Sequence, residues 1–276
     1  MDDQELRRLK LKARDVRKAV IEAIGSLGIG HIGGCMSIVE TLVILYYTFM
    51  NIDAANPRRP DRDKLILSKG HAGPTLYSIL SDLGFFPRDW LATLNRGGSR
   101  LPSHCDMNLT PGVDMTTGSL GHGLSAGVGM ALGHRMDGLA GRIYVVIGDG
   151  ECNEGQVWEA AMAAAQFNLD NLTAFLDYNK MELDGYMEEI MDISDITAKW
   201  VSFNWFVQRI DGHDFTQLER AIVRAQRERG RPSMIVLDTI KGKGCSFAEN
   251  RIESHNMSFD REKAKEAIAL LDREQI

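Results

Sequence analysis

Two apolar segments of the sequence each lead into a residue that carries a hard oxygen ligand. Residues 143–147 run into Gly148-Asp149-Gly150, and residues 172–176 precede Asn179. Both segments are short and contain β-branched or aromatic residues, which predicts buried strands. Because open α/β sheets bind ligands at the carboxyl ends of their strands, we expect Asp149 and Asn179 to lie at one edge. Carboxylate and amide oxygens suit Mg²⁺, which proteins usually hold together with phosphates. The pattern therefore predicts magnesium beside a bound diphosphate.

The segment that follows Asp149 predicts a helix that begins at the same edge. Residues 157–165 are rich in alanine, and Asn153 with Gln156 fits a capping box. Such a helix start directs backbone N–H groups and the positive end of the helix dipole at an anion. Gly150 has no side chain that would obstruct phosphates.

The rest of the chain alternates between helical and strand patterns, which predicts an α/β fold with a mostly parallel sheet and helices on both faces. We expect one domain over residues 1–276 with a helical extension at about 260–272. The stretch 95–117 is expected to be a functional or mobile loop, and 179–194 is irregular. Further predicted helices are 3–24, 37–50 (with a capping box of Ser37 and Glu40), 124–136 and 216–229, and further strands are 65–67, 205–210 and 234–239.

Composition excludes several classes of protein. The formal net charge of −6 argues against nucleic-acid binding. The longest apolar stretch, residues 42–50, is too short to span a membrane. The acidic start of the chain does not resemble a signal peptide, and the four cysteines form no CxxC pair. We therefore expect reduced thiols and a cytoplasmic protein.

The two strand-end segments resemble the signature of thiamine diphosphate enzymes, and further segments narrow the resemblance to the transketolase family. They occur in the family's order and span nearly the whole chain. Four of these segments contain or precede a histidine: 30–34 contains His31, 67–72 contains His71, 98–104 ends at His104, and 238–244 is followed by His255. The fifth segment is 111–124.

The resemblance implies a ligand set for thiamine diphosphate and Mg²⁺. The metal ligands would be Asp149, Asn179 and the backbone carbonyl of Met181. His71 would contact the diphosphate, and Leu120 would press against the thiazolium ring. The complete set of implied cofactor-binding residues is His71, Gly118, Leu120, Gly150, Glu154, Asn179 and His255.

The resemblance also assigns catalytic roles to histidines. His31 and His255 would transfer protons, and His104 would hold the donor sugar. Imidazole suits these steps because it titrates near neutral pH. Glu154 and Glu159 match a family cluster of acidic residues that links two active sites at the dimer interface.

The implied activity is transfer of a two-carbon ketol group from a ketose to an aldose. The chain is similar to the amino-terminal, diphosphate-binding half of the family, so the pyrimidine-binding and carboxyl-terminal domains are expected on a separate subunit in an α2β2 assembly. In the family, a glutamate of the pyrimidine-binding domain activates the cofactor. We therefore expect this chain to be inactive without its partner.

Two other functions fit part of the pattern. One is the α subunit of a 2-oxo acid dehydrogenase, although the His71 segment and the loop at Gly118 favour transketolase. The other is a non-catalytic subunit that binds the cofactor or a partner. Departures from the family pattern near the expected site suggest an unusual sugar, for example one whose terminal group is not phosphate; they are Ile32, His122, Ser254 and Asn256.

Overall fold

A five-stranded parallel sheet forms the centre of the computed structural model, which describes residues 1–273. The strands are β1 (Ile29–Gly30), β2 (Lys64–Leu67), β3 (Ile143–Gly148), β4 (Leu172–Tyr178), β5 (Phe206–Asp211), β6 (Ser233–Asp238) and β7 (Met257–Ser258). The sheet has the strand order β2-β3-β4-β6-β5, and all neighbouring pairs are parallel. A separate antiparallel pair, β1 with β7, joins two distant loops.

Helices cover both faces of the sheet, so the predicted α/β class is confirmed. Because consecutive side chains of a strand point to opposite faces, β3 serves two cores. Tyr144 and Val146 belong to one hydrophobic core, and Val145 and Ile147 belong to the other. The helices are α1 (Asp3–Leu27), α2 (Ile32–Met36), α3 (Val39–Ile44), α4 (Gly73–Asp82), α5 (His122–Met136), α6 (Gly155–Gln166), α7 (Met187–Ile190), α8 (Ile196–Ser202), α9 (Phe215–Arg227) and α10 (Arg261–Arg273).

The distribution of the helices follows from the strand order. Helices α5, α6 and α8 precede β3, β4 and β5 and share one core, whereas α9 packs in the other core. The chain moves across the sheet from β2 to β5 and then returns through α9 to insert β6 beside β4. Right-handed crossovers place the returning helix on the opposite face. Because all five strands are parallel, their carboxyl ends lie at one edge of the sheet.

Two predicted capping boxes are wrong, because their side chains bind distant partners. Asn153 donates to Glu182, and Gln156 donates to Ser125. Helix α6 begins at Gly155 without any side-chain cap. Ser37 donates to Asp177, and the helix predicted at 37–50 is instead α3 followed by a π-helical turn, Leu45–Phe49.

The predicted loop at 95–117 contains no helix or strand. The irregular segment 179–194 holds the short helix α7 and a bridge between Met181 and Tyr186. Within residues 1–273, no helix combines the length and the apolar character needed to cross a membrane.

The central strand β4 allows a test of the core. Phe175 is fully buried on β4, whereas Phe167, at the end of α6, is 44% exposed. We expect Phe175→Ala to lower the free energy of unfolding by about 3–5 kcal/mol through lost burial and a cavity. The matched control, Phe167→Ala, should change it by less than about 0.5 kcal/mol. Urea unfolding measures both, and equal effects would contradict this view of the core.

Candidate active site

The carboxyl ends of β2, β3, β4 and β6 open into a cavity of about 330 Å³. The loops after these strands and the loop at Gly118 supply its walls. The structure thus gathers residues that are far apart in the sequence, including most of the predicted site residues. The lining comprises His31, Gly34, Lys69, His71, His104, Gly118, Leu120, Gly148, Asp149, Gly150, Glu151, Asn179, Met181, Glu182, Leu183, Lys241 and His255.

The predicted metal ligands lie together on one wall. Asp149 is 3% exposed and accepts backbone N–H groups from Gly150 (2.9 Å) and Lys180 (2.6 Å). Asn179 Oδ1 accepts the N–H of Met181 at 3.1 Å. Lys180 has a φ of +66°, a left-handed turn that reverses the chain between Asn179 and Met181. Burial, together with the nearby Asp177 carboxylate, raises the pKa of Asp149 to about 7.

Four histidines face one another across the cavity. The ring centroids of His31, His71, His104 and His255 are 5.2–6.4 Å apart in the pairs that contact each other. The antiparallel pair β1–β7 explains how two of them meet, because β1 ends just before His31 and β7 begins soon after His255. Ser103 Oγ lies 3.0 Å from His104 Nδ1 and orients that ring.

The surroundings favour neutral imidazoles in this cluster. Burial lowers the pKa of His31 and of His104, and a neighbouring histidine lowers that of His31 further. Burial and the Lys69 ammonium hold the pKa of His71 well below its usual range. Burial and Lys241 lower the pKa of His255 to about 3. At neutral pH these rings therefore carry no charge, and each can accept a hydrogen bond or a proton at one nitrogen and donate a hydrogen bond from the other.

Sequence reasoning missed the buried carboxylate of Asp177, which ties several walls together. Asp177 accepts hydrogen bonds from Lys69, Ser37 and Thr239. Burial raises the pKa of Asp177, but the Lys69 ammonium and these hydrogen bonds outweigh it and leave the pKa lowered. The available signal was an acidic residue within an otherwise apolar strand.

Glu151 was also missed as a structural centre. Its carboxylate accepts hydrogen bonds from Ser68 Oγ and from the backbone N–H groups of Gly121 (2.9 Å) and Gly148 (3.0 Å). It thereby joins the loop after β2, the loop before α5 and the loop after β3. Its position directly after Gly150 was the signal in the sequence.

Lys241 extends from the loop after β6 to the opposite wall. It is 2% exposed, and its Nζ donates to the carbonyl of Glu182 at 2.8 Å and lies 3.5 Å from that of Met181. Burial and the Lys69 ammonium lower the pKa of Lys241 to about 8. The segment 238–244 was noted in the sequence, but no role was assigned to Lys241.

Glu154 and the residues that depart from the family pattern do not line the cavity. Glu154 is exposed at the start of α6, and His122 is exposed at the start of α5. Ile32 and Ser254 are fully buried behind the cavity, and Asn256 is exposed. Their effect on substrate choice stays a prediction, as does the interface role of Glu154 and Glu159.

A family model agrees with this geometry. The model described as "Transketolase, thiamine diphosphate binding domain" matches residues 9–271. The chain belongs to the transketolase family. The predicted transketolase-type transferase and its thiamine diphosphate-binding domain are thereby confirmed, in preference to a 2-oxo acid dehydrogenase subunit.

Relatives of similar length carry subunit names. The chain is 53% identical to "6-deoxy-6-sulfo-D-fructose transketolase subunit SqwG" of Clostridium sp. (strain MSTE9), and the match covers 99% of each chain. It is 36% identical to one of the subunits of the apulose-4-phosphate transketolase of Phocaeicola vulgatus, with 94% of this chain and 92% of the relative covered.

The fold matches the structure of a longer transketolase. The transketolase of Leishmania mexicana superposes with a TM-score of 0.91 at 27% sequence identity. The superposition covers 96% of this chain but 41% of that transketolase. This chain therefore corresponds to less than half of a longer transketolase polypeptide.

The buried histidines predict a loss of stability in acid. Because the pKa of His255 is about 3 in the folded chain and near 6.5 when unfolded, the unfolded state binds more protons between these values. The free energy of unfolding should therefore fall as the pH drops below about 6.5. With allowance for solvent screening of this partly exposed ring, we expect His255→Gln to reduce the loss between pH 7 and 5 by about 1 kcal/mol.

Urea unfolding of the cofactor-free chain at the two pH values measures this loss. The exposed His122, replaced by glutamine, is the matched control and should leave the loss unchanged. A His255→Gln variant that is as acid-sensitive as the wild type would refute the explanation.

Proposed function

We propose that this chain is the diphosphate-binding subunit of a two-subunit transketolase that holds thiamine diphosphate with Mg²⁺. The observation that carries the proposal is the convergence of Asp149, Asn179, Met181 and the four histidines on one cavity, in a chain similar along its whole length to a transketolase subunit. The complete enzyme would transfer a two-carbon ketol group from a ketose to an aldose.

The donor set at the strand ends fits magnesium. Asp149, Asn179 and the carbonyl of Met181 supply only oxygens, which Mg²⁺ prefers. The two carboxylate oxygens of Asp149, the Asn179 Oδ1 and the Met181 carbonyl each accept a single hydrogen bond. A lone pair on each oxygen is therefore left for a metal. Within residues 1–273 no cluster of three or more His, Cys, Asp or Glu side chains forms a metal site. The proposed ligand set is not such a cluster, because it combines one carboxylate with one side-chain amide and one main-chain carbonyl.

The cavity also fits a diphosphate beside that metal. Gly34 has no side chain, and a Cβ there would lie 3.0 Å from His71 Nε2 and 3.3 Å from Lys69 Nζ. The absent side chain at Gly34 therefore leaves room beside these two groups, which line the same cavity as Gly150. We assign His71, Gly150 and Asn179 to the diphosphate end of the cofactor, Gly118 and Leu120 to its thiazolium ring, and His255 to the cofactor and substrate.

The histidine cluster suits the proton transfers of the reaction. When bound, thiamine diphosphate supplies the electron sink that lets the carbon–carbon bond of the ketose break. His31 and His255, neutral and partly buried, would move protons at the hydroxyl of the donor and at the carbonyl of the acceptor. His104, oriented by Ser103, would hold the donor through a hydrogen bond.

We assign the pyrimidine-binding and carboxyl-terminal domains of the family to a partner subunit, in an α2β2 complex. The subunit names of the two relatives and the greater length of the Leishmania transketolase support a partner. An exposed apolar group on the segment beside the cavity, which includes Leu183 of its lining, offers a surface for it. This group comprises Leu183, Tyr186, Ile190 and Met191.

We further propose a sulfonated ketose such as 6-deoxy-6-sulfo-D-fructose as the donor. The support is the name of the relative at 53% identity. The departures from the family pattern at Ile32, His122, Ser254 and Asn256 also suggest a terminal group other than phosphate. The cysteines Cys35, Cys105, Cys152 and Cys245 are all free thiols, which fits a reducing compartment such as the cytoplasm.

The proposal is tested by tagging this chain, purifying it from its own host with thiamine diphosphate and Mg²⁺ present, and recording native mass spectra. We expect a complex with a second chain that carries the cofactor. The complex is then assayed with a sulfonated ketose, a ketose phosphate, and a 2-oxo acid with a lipoyl acceptor.

The expected result is two-carbon transfer from the sulfonated ketose that needs both subunits. Transfer from the ketose phosphate alone would refute the sulfonated donor but keep the transketolase. Turnover by this chain without a partner would refute the split enzyme. A cofactor-loaded complex without any turnover would favour a non-catalytic subunit.

Asp149 gives a direct test of the metal. We expect Asp149→Ala to weaken Mg²⁺-dependent binding of thiamine diphosphate by more than about 100-fold, beyond the usual effect of outer-shell changes. Isothermal titration calorimetry with and without Mg²⁺ measures the affinity. Asp137, exposed at the end of α5, is the matched control, and Asp137→Ala should bind as the wild type does. Unchanged affinity in Asp149→Ala would exclude the assignment.

A further inference from the structure

The loop after β6 lies between two cavities. We call residues 239–244 the strap. Lys241 of the strap lines the active-site cavity, whereas Lys243 and Gly244 line a second cavity of about 700 Å³. Arg17, Glu40 and His213 line this second cavity as well. These three side chains, which we call the clamp, have no part in the site described above.

The clamp holds the strap on both sides of Lys241. His213 Nε2 accepts the backbone N–H of Ile240 at 2.9 Å, and Arg17 Nε donates to the carbonyl of Lys243 at 2.9 Å. Glu40 joins the other two members, since it lies 2.7 Å from Arg17 Nη2 and 3.0 Å from His213 Nδ1. The strap is therefore hydrogen-bonded just before and just after the lysine that enters the active site.

The hydrogen bonds of His213 define which of its two ring nitrogens carries the proton. A backbone amide can only donate, so Nε2 of His213 has no proton where it accepts from Ile240. Nδ1 then carries the proton and donates it to the Glu40 carboxylate. Glu40 thus selects the tautomer that can hold the strap, as outer-shell carboxylates do for histidines at functional sites.

The clamp is buried, which makes its polar groups costly for stability alone. Arg17 is 6% and Glu40 7% exposed. Burial raises the pKa of Glu40, but Arg17 and His213 outweigh it, so the pKa is lowered and the carboxylate stays charged. A buried ion pair adds little stability compared with apolar residues of similar volume. Its contacts therefore point to a geometric role.

The backbone of the strap is shaped to receive Arg17. Gly244 has a φ of +79°, and a Cβ there would lie 2.8 Å from Arg17 Cδ. A larger residue would be strained in this conformation and would displace the arginine. The second glycine of the strap segment therefore allows the contact between Arg17 and the Lys243 carbonyl.

We infer that His213 is a positioning residue that, together with Glu40 and Arg17, sets Lys241 in the active-site cavity. Lys241 in turn bridges to the Glu182 carbonyl at 2.8 Å, beside the predicted metal ligands. Through Lys241, the clamp thus connects helices α1 and α3 to the wall of the active-site cavity that carries Met181 and Glu182. The inference rests on the proposed function for what the cavity holds, while the position of Lys241 is measured independently of activity.

Two near-isosteric variants of His213 separate the two hydrogen bonds. Glutamine places its amide oxygen near the position of Nε2 and keeps an acceptor for Ile240. Asparagine places its amide near Nδ1, so it keeps the contact with Glu40 but loses the bond to the strap. Both remove the imidazole ring, and their melting temperatures show whether their overall stability is comparable.

The position of Lys241 is measured by competitive acetylation and mass spectrometry of the full chain with its co-purified partner, without added substrate. Exposed Lys265 is the internal reference, and buried Lys69 reports general loosening. We expect His213→Asn to raise acetylation of Lys241 about tenfold, the effect of one net hydrogen bond. His213→Gln should stay within about twofold of the wild type, and Lys69 should not change in either variant.

In the transketolase assay, His213→Asn should lower kcat about tenfold with little change in KM, and His213→Gln should restore it. Equal acetylation of Lys241 in both variants, or a parallel rise at Lys69, would overturn the inference. If His213→Asn does not fold, Arg17→Lys replaces it, because lysine keeps a cation near Glu40 but loses the planar group that also reaches Lys243. A chain that fails every sugar assay can still give the acetylation pattern, so the two proposals fail separately.

Discussion

The buried carboxylate of Asp177 is the interaction on which the arrangement of the site depends. It lies on the central strand β4 and accepts hydrogen bonds from Lys69 after β2, Thr239 after β6 and Ser37 after α2. A buried charge is tolerated only when it is paired and hydrogen-bonded. The loops that supply these donors are therefore held in place together, and the walls of the cavity keep a common geometry because they share one acceptor.

The electrostatics of the cavity follow from the same set of buried groups. Burial, together with the nearby Lys69 and Lys241, keeps the pKa values of His71 and His255 low. The same cations lie near Asp149, the carboxylate that the sequence assigns to the metal site. The cavity thus holds charged groups and neutral imidazoles side by side.

Local sequence patterns predicted most of the helices and strands. Long-range contacts explain the predictions that failed and the site residues that were missed. The strand ends at Asp149 and Asn179 could be predicted to meet because parallel strands share an edge. The capping boxes at Asn153 and Ser37 failed because those side chains bind Glu182 and Asp177, partners far away in the sequence. Asp177 was missed for the same reason, since an apolar strand pattern contains no information about which distant donors meet one acidic residue. Glu154 matched the family by position alone, and the structure places it outside the cavity.

The strand order has a consequence for how the site comes into being. Neighbouring parallel strands cannot be joined by a tight hairpin, so each pairing waits for a long crossover to close. Strand β6 is the last of the five to emerge from the chain, yet it lies between β4 and β5. Such non-local pairing slows folding, and the cavity is complete only when this late strand is in place. A ligand that binds only the completed cavity stabilises the folded chain by mass action, so bound thiamine diphosphate would hold the late strand in place and add to the stability of this subunit.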